Sequence, residues 1–243
     1  MRRLAVRGAR QMAGREACSK AGRMVRALKN RFGPTDEVGC FELGEYGLIG
    51  LPDPSGLFVS QRTRPVPGTC VTVALEGRRP LLAEVQTLVA GSTLEIPRRV
   101  TSGLDSARVG MVMAVLQRRA NVLLGKQDVY AATVGGVRLT EPAVDLAIAL
   151  AMSSAAADLS VPGSVVAIGE VGLAGEVRRV PGVARRLAEA ERMGFRRAIV
   201  PAGTAGIPGG EGTGNGRVAG PTALTDIREV EEVKEAIAAA LGG

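Results

Sequence analysis

Ten consecutive residues, Ala143 to Met152, read AVDLAIALAM and carry a single polar side chain, Asp145. A helix that is apolar on every side cannot lie on a surface, so the fold must enclose it. Pro142 supports the helical reading, because its fixed φ suits a first helical position. The stretch from Thr140 to Pro201 is organised around that helix. Ser164 to Ile168 is a β-branched, apolar run expected to form a covered strand. Gly169, Gly172 and Gly175 then mark a tight turn into a second strand over Glu176 to Val180. Pro181 opens another helix, with Val183, Leu187 and Met193 on its apolar side and Arg185, Arg186, Glu189 and Arg192 on the other. Gly194 stops that helix, and Arg197 to Val200 resumes as a strand.

The flanks follow the same periodicities. Thr69 to Glu76 and Pro80 to Val89 alternate as two strands joined by Gly77, Arg78 and Arg79. Ser106 to Ala120 is helical, with Val109, Val112, Met113 and Leu116 on one side, and Val129 to Val134 is a strand turned at Gly135 and Gly136. Upstream, the spacing of Met24, Val25, Leu28 and Phe32 predicts a short amphipathic helix, and Phe41 to Ile49 a hairpin around Gly44 to Gly47. Pro52 to Pro67 reads as a linker with one helical turn near Leu57. Ala205 to Gly220 is a glycine-dense surface loop. Thr225 caps a final helix whose Ile227, Val230, Val233, Ile237 and Leu241 keep one face apolar. The expected organisation is a basic, unstructured arm over 1–23, a connecting segment over 24–67 and a folded α+β domain over 68–243.

Composition bounds the chemistry. With 243 residues, 46% of them hydrophobic, the chain can bury a sizeable core, and no apolar run approaches the roughly 18 residues of a membrane span, so a cytoplasmic protein is expected. Cys18, Cys40 and Cys70 are far apart and form no C-x-x-C, which argues against a disulfide framework or a zinc site. The sequence has no histidine, which excludes histidine-dependent triads and histidine-ligated metals. Neither phosphate-binding pattern is present: Gly125 and Lys126 are followed by Gln127, with Ala120 where a P-loop needs glycine, and no G-x-G-x-x-G occurs. No metal or cofactor is expected in this chain. The net charge of +7 is concentrated upstream, since residues 1–33 sum to +9 and the rest to −2. The extreme N-terminus is Arg-rich and acid-poor like a transit peptide, but lacks the apolar core of a secretory signal.

The frame from Gly169 to Ala190 resembles the proteolytic domain of the Lon family, whose pattern includes G-E-V-x-x-x-G-x-V. The resemblance implies a Lon-type (ribosomal protein S5 domain 2-like) fold. Its chemistry does not carry over. The family's nucleophilic serine, aligned through Pro142, falls on Ala143, and its dyad lysine, aligned through Gly182 and Val183, falls on Ala184. An alanine methyl can neither attack a carbonyl nor accept a proton, so a peptidase-dead scaffold is expected.

A second resemblance covers more of the chain. KNRFG at Lys29, Asn30, Arg31, Phe32 and Gly33 is followed by GCFEL from Gly39 and EGRRPLLAEVQTLV from Glu76. PRRVTSGLD from Pro97 and VGGVRLTEPAVDLAIAL from Val134 complete the set. Together these resemble the C-terminal portion of the RadA (Sms) family of bacterial DNA-repair proteins, from about Met24 to Pro201 and again in the last helix. The resemblance implies a DNA-dependent ATPase family that forms hexameric rings, engages single-stranded or branched DNA and works with a RecA-type recombinase. Its ATP, magnesium and zinc belong to an ATPase core and a zinc finger outside this sequence. Residues 1–23 fall outside the resemblance and are expected to be a non-native or misread start on a truncated gene. By position, Lys29 and Arg31 inherit a trans-acting role toward a neighbour's nucleotide; the alternative is a solvated basic turn.

DNA contact has two sources in the sequence: the arm, and the pairs Arg78 with Arg79, Arg98 with Arg99 and Arg118 with Arg119. The pairs either line a phosphate-tracking surface or form ordinary solvated faces. With four Phe, two Tyr and no Trp, a base-stacking platform is not expected. Two rival readings remain, an active Ser-Lys peptidase and an oligomerisation module without DNA binding.

Overall fold

The computed structural model describes residues 22–26, 38–44, 47–51, 59–60, 64–77, 79–204 and 224–242. The first three elements are strands β1 (Gly22–Arg26), β2 (Val38–Gly44) and β3 (Gly47–Leu51), forming an antiparallel sheet in that order. Gly44 stands opposite Gly47, so the expected hairpin is present. The helix expected from Met24 is corrected, because Gly22–Arg26 pairs along its whole length with Val38–Glu42. Five residues are too few for period 3.6 and period 2 to be told apart, and the partner strand lies beyond the local pattern. The rest of that expected helix, the KNRFG motif and the helical turn near Leu57 lie outside the described residues.

The larger unit is a seven-stranded sheet with helices on both faces. Its elements are β4 (Thr69–Glu76), β5 (Arg79–Gly91), β6 (Arg99–Ser102), α1 (Ser106–Arg119), β7 (Gln127–Thr133) and α2 (Asp145–Ala157), the last entered by a 3₁₀ turn over Pro142–Val144. There follow β8 (Val165–Ala167), the short β9 (Glu170–Val171) and β10 (Val177–Arg178), α3 (Val183–Arg192), β11 (Arg197–Pro201), β12 (Asp226–Val230) and α4 (Val233–Leu241). The strand order is β12-β11-β8-β4-β5-β7-β6, and β9 with β10 forms a separate hairpin. β5 is antiparallel to both β4 and β7, while the other neighbours run parallel. This mixed sheet dominated by parallel pairs agrees with the expected α+β class.

Alternation along the strands divides the core into two layers, because successive side chains leave a strand on opposite faces. Ala83 and Val85, Val165 and Ala167, and Ile199 pack with α1, α2 and α4. Their neighbours Leu82, Val166, Ile168, Ala198 and Val200 pack on the other face with Val183 and Ala190 of α3. Every residue from Asp145 to Ser154 is buried, as a helix without a polar side requires.

Local signals set the helix ends. Asp105 caps α1 by accepting the Arg108 amide at 2.9 Å, and Arg118 and Arg119 stand in its last turn, where cations complement the helix dipole. Gly68 has φ +85°, and a Cβ there would collide with the Thr87 carbonyl oxygen, so only glycine fits. Its amide donates to Ser154 Oγ at 2.9 Å, tying the start of β4 to α2. The final helix is also corrected. Asp226–Val230, expected inside it, is a strand parallel to β11, and α4 begins at Val233 with a capping box between Glu232 and Glu235. Ile227, 40% exposed, and buried Val230 fit a helical stripe by spacing alone. The strand forms instead because β11 offers an edge to pair with.

One charge is sealed into the enclosed helix. Asp145 is 1% exposed and takes a two-pronged contact from Arg108 of α1, at 2.9 and 2.5 Å, plus the Val171 amide at 3.3 Å. Burial pushes its carboxyl up, and the Arg108 bonds pull it down. Arg108→Ala should lower stability by about 3–5 kcal/mol at neutral pH, the range for breaking a buried pair. Without Arg108 the folded-state pKa climbs further above the unfolded value, so the folded variant binds a proton more tightly and its deficit should shrink as pH falls. Urea melts of both proteins from pH 8 to pH 5 measure this.

Candidate functional site

The two segments aligned with a Ser-Lys dyad are linked in the fold by the ion pair of Arg186 with Glu141. Ala143 lies in the 3₁₀ turn before α2, 1% exposed, and its carbonyl accepts the Gly169 amide at 3.0 Å. Ala184 lies in the first turn of α3, half-buried, and Val183 beside it packs in the same apolar cluster as Ala143. Methyl groups therefore stand at both places.

The polar chemistry nearby belongs to residues two positions away from each. Arg186, 1% exposed, makes a bidentate contact with Glu141, Nη1 to Oε1 at 2.8 Å and Nη2 to Oε2 at 2.6 Å. It also donates to the Val73 carbonyl at 2.6 Å and to the Pro181 carbonyl at 3.1 Å, while Glu141 accepts the Leu75 amide at 2.7 Å. These bonds fasten α3, β4 and the entry to α2 together. The outward placement of Arg186 expected from sequence is corrected. Val183, Arg186, Leu187 and Ala190 follow an i, i+3, i+4, i+7 stripe, so spacing could have placed Arg186 on the buried side; its charge hid that.

The other candidate nucleophiles show no hydrogen bond to an amine among the described residues. Ser153 is buried without a hydrogen-bond partner among the described residues, Ser154 accepts from Gly68 and donates to the Leu159 carbonyl, and Ser106 is exposed at the start of α1. Of the described lysines, Lys234 pairs with Glu232 at 2.7 Å, and Lys126 is exposed in the loop before β7. Cys70 is no nucleophile at neutral pH, because burial and the neighbouring Glu84 charge push its thiol up to about 12.

The arginine pairs are spread over the sheet. Arg78 and the KNRFG residues lie outside the described residues. Arg79 opens β5 opposite Glu76, while Arg99 stands level with Val129, which pairs with Val89 near the far end of the same strand. Ten residues of strand separate the two levels by about 33 Å. Arg99 is spent on backbone, donating to the carbonyls of Leu124 at 3.0 Å, Arg98 at 2.9 Å and Gln127. Arg98 is exposed; its amide donates to Asp128 at 2.7 Å, a bond that with the Ser92 hydroxyl and the two arginines holds the Asp128 carboxyl below its usual range. Arg118 and Arg119 are exposed, and the stem of Arg119 lies beside Gly175 of the β9–β10 turn. Thus Arg98, Arg99, Arg118 and Arg119 border the loop from Ala120 to Lys126, and Arg79 does not join them.

Comparison with known proteins agrees with the motifs. A family model described as subunit ChlI of Mg-chelatase matches residues 135–204, the segment holding α2, the β9–β10 hairpin and α3. The chain is 55% identical over 188 residues to the DNA repair protein RadA of Mycolicibacterium smegmatis, covering 77% of this chain and 40% of that protein. The RadA proteins of Brucella abortus and Bacillus subtilis are 46% identical over 182 residues and 45% identical over 180. Those matches cover 75% and 74% of this chain and 39% of each relative. The chain thus matches a C-terminal part of RadA and spans about 40% of the length of these relatives.

Removing one half of the Arg186–Glu141 pair leaves a buried charge behind. Glu141→Ala should destabilise by about 3–5 kcal/mol, whereas a combined Glu141→Gln and Arg186→Met change should recover most of the loss by removing the charge as well. Comparison of the two melting temperatures with the parent chain tests the assignment.

Proposed function

We propose, from its match to a part of RadA, that this chain is the scaffold portion of a DNA-repair protein, with a Lon-like domain that has lost peptidase chemistry and holds DNA within a ring. The 55% identity over 188 residues carries this reading. The order of elements from the 3₁₀ entry through α2, the glycine-built hairpin and α3 supports the Lon-like assignment. The ring is of six copies. ATP hydrolysis with magnesium, and a zinc finger, belong to the longer relatives' remaining length, and Lys29 and Arg31 face a neighbour's nucleotide only in that context. The DNA is single-stranded or branched, the partner protein is a RecA-type recombinase, and the compartment is the cytoplasm. No helix among the described residues is long and apolar enough to cross a membrane.

Two experiments test this. Purified chain should leave an unfolded protein substrate intact; steady cleavage abolished by replacing Ser106, Ser153 or Ser154 would instead establish a peptidase. DNA affinity should fall with salt, with a slope of log affinity against log salt of about −3.5 on a single strand and about −4.5 on a duplex for about five phosphate contacts. Deleting Met1 to Gly22 removes Arg2, Arg3, Arg7, Arg10, Arg15 and Lys20 and should reduce both affinity and slope while leaving binding by the folded part. Anisotropy across a salt series reads both quantities, and absence of binding at low salt would leave only the assembly role.

A further inference from the structure

Among the described residues, the face of the sheet that α3 occupies is covered only in part. α3 packs on β4 and β5, and beyond its cover the strands β5, β7 and β6 continue side by side. There the register aligns Leu88 with Tyr130 and Tyr130 with Val100, so the three side chains form one row on one face. Leu88 is 62% exposed and Val100 47%, with Tyr130 half-buried between them. At a spacing of about 4.8 Å per strand, the row is about 10 Å wide. Ile96, 83% exposed, and Leu94 lie in the connection from β5 to β6.

Cations gather to one side of that row, at one end of the strands that form it. Ser92 donates its amide to the Lys126 carbonyl at 3.2 Å and Val129 to the Arg98 carbonyl at 2.9 Å, which sets Lys126 and Arg98 at the same end of the three strands. Both residues are exposed. The acids in the segments at this end are Asp128, whose carboxylate accepts the Arg98 amide and the Ser92 hydroxyl, and Glu95 in the connection.

We propose that this face binds single-stranded DNA, with a base stacked on Tyr130, flanking sugars and bases against Leu88 and Val100, and phosphates at Arg98 and Lys126. The inference rests on the DNA-holding role proposed above and gives it a place. A partly exposed aromatic between aliphatic side chains, with phosphate-binding cations at its border, is the combination that single strands require and that a duplex, with stacked bases, does not use. A second copy of the chain fits less well, since lysine is depleted where protein surfaces meet.

The chain has two tyrosines and no tryptophan, so Tyr46→Phe leaves Tyr130 as the sole tyrosine. Labelled with 3-fluorotyrosine, that full-length chain gives one fluorine resonance, which should shift on saturation with an oligothymidylate. Tyr130→Leu, folded by its circular dichroism melt, should bind the oligomer roughly tenfold more weakly with unchanged salt slope, the effect of losing one stacked base. Arg98→Gln with Lys126→Gln should instead flatten the slope by about 1.4, as two lost phosphate contacts require on a single strand. DNA binding with an unmoved resonance and parental affinity in Tyr130→Leu would overturn this site while leaving the DNA role standing. No binding by the parent at low salt would overturn both. A change of assembly mass in Tyr130→Leu at unchanged DNA affinity would identify the face as a contact between copies and also overturn the proposal.

Discussion

A helix with no polar side has to be enclosed, and the position of most other elements follows from that requirement on α2. The sheet supplies one wall, through β4 and β5, and α1 and α4 supply the others. Leu146, Ile148, Leu150 and Met152 are each at most 1% exposed, and full burial of such side chains stabilises by about 1.5–3 kcal/mol apiece. The same enclosure makes polar groups in this layer consequential. Thr72 Oγ1 and Ser153 Oγ are buried without partners among the described residues, each an expense of about 1–3 kcal/mol that the surrounding apolar burial offsets.

Two ion pairs fix how the enclosed helix is entered. Arg108 on Asp145 joins α1 to the first turn of α2 and, through the Val171 amide, to the β9–β10 hairpin. Arg186 on Glu141 joins α3 and β4 to the residue before Pro142. In the dyad frame, these pairs lie beside the places where a nucleophile and an amine would be needed. The charge in this region is directed at backbone carbonyls, amides and partner carboxylates, and alanine methyls occupy the reactive positions. That arrangement holds the geometry of the entry to α2.

The cations on the surface divide in the same way. Arg99 is committed to three carbonyls, and Arg197 and Arg228 share Asp226. A count of arginines therefore overstates the charge available to a phosphate backbone. Exposure and register, which place Arg98 and Lys126 beside the Tyr130 row, are more informative than pairing in sequence.

Legibility in the sequence tracked the range of the interactions involved. The course of α1, α2, α3, β4, β5, β7 and β11 was readable because each carries enough residues to show its own period, and proline and glycine mark the ends. The alanines at 143 and 184 were visible because alignment to a motif is a local matter. β1 and β12 were not readable as strands, since each exists by pairing with a segment that the local pattern does not include. The burial of Arg186 was hidden for a related reason: its spacing put it on the inner stripe, but only the fold brings Glu141 and the Val73 carbonyl from 45 and 113 residues away to receive its charge. The Tyr130 row likewise needs three strands in register and a helix that stops short of them. Local periodicity thus determined which segments are helices and strands in the well-patterned part of the chain, while tertiary structure decided which charges are buried and which face stays open, because both depend on partners distant in sequence.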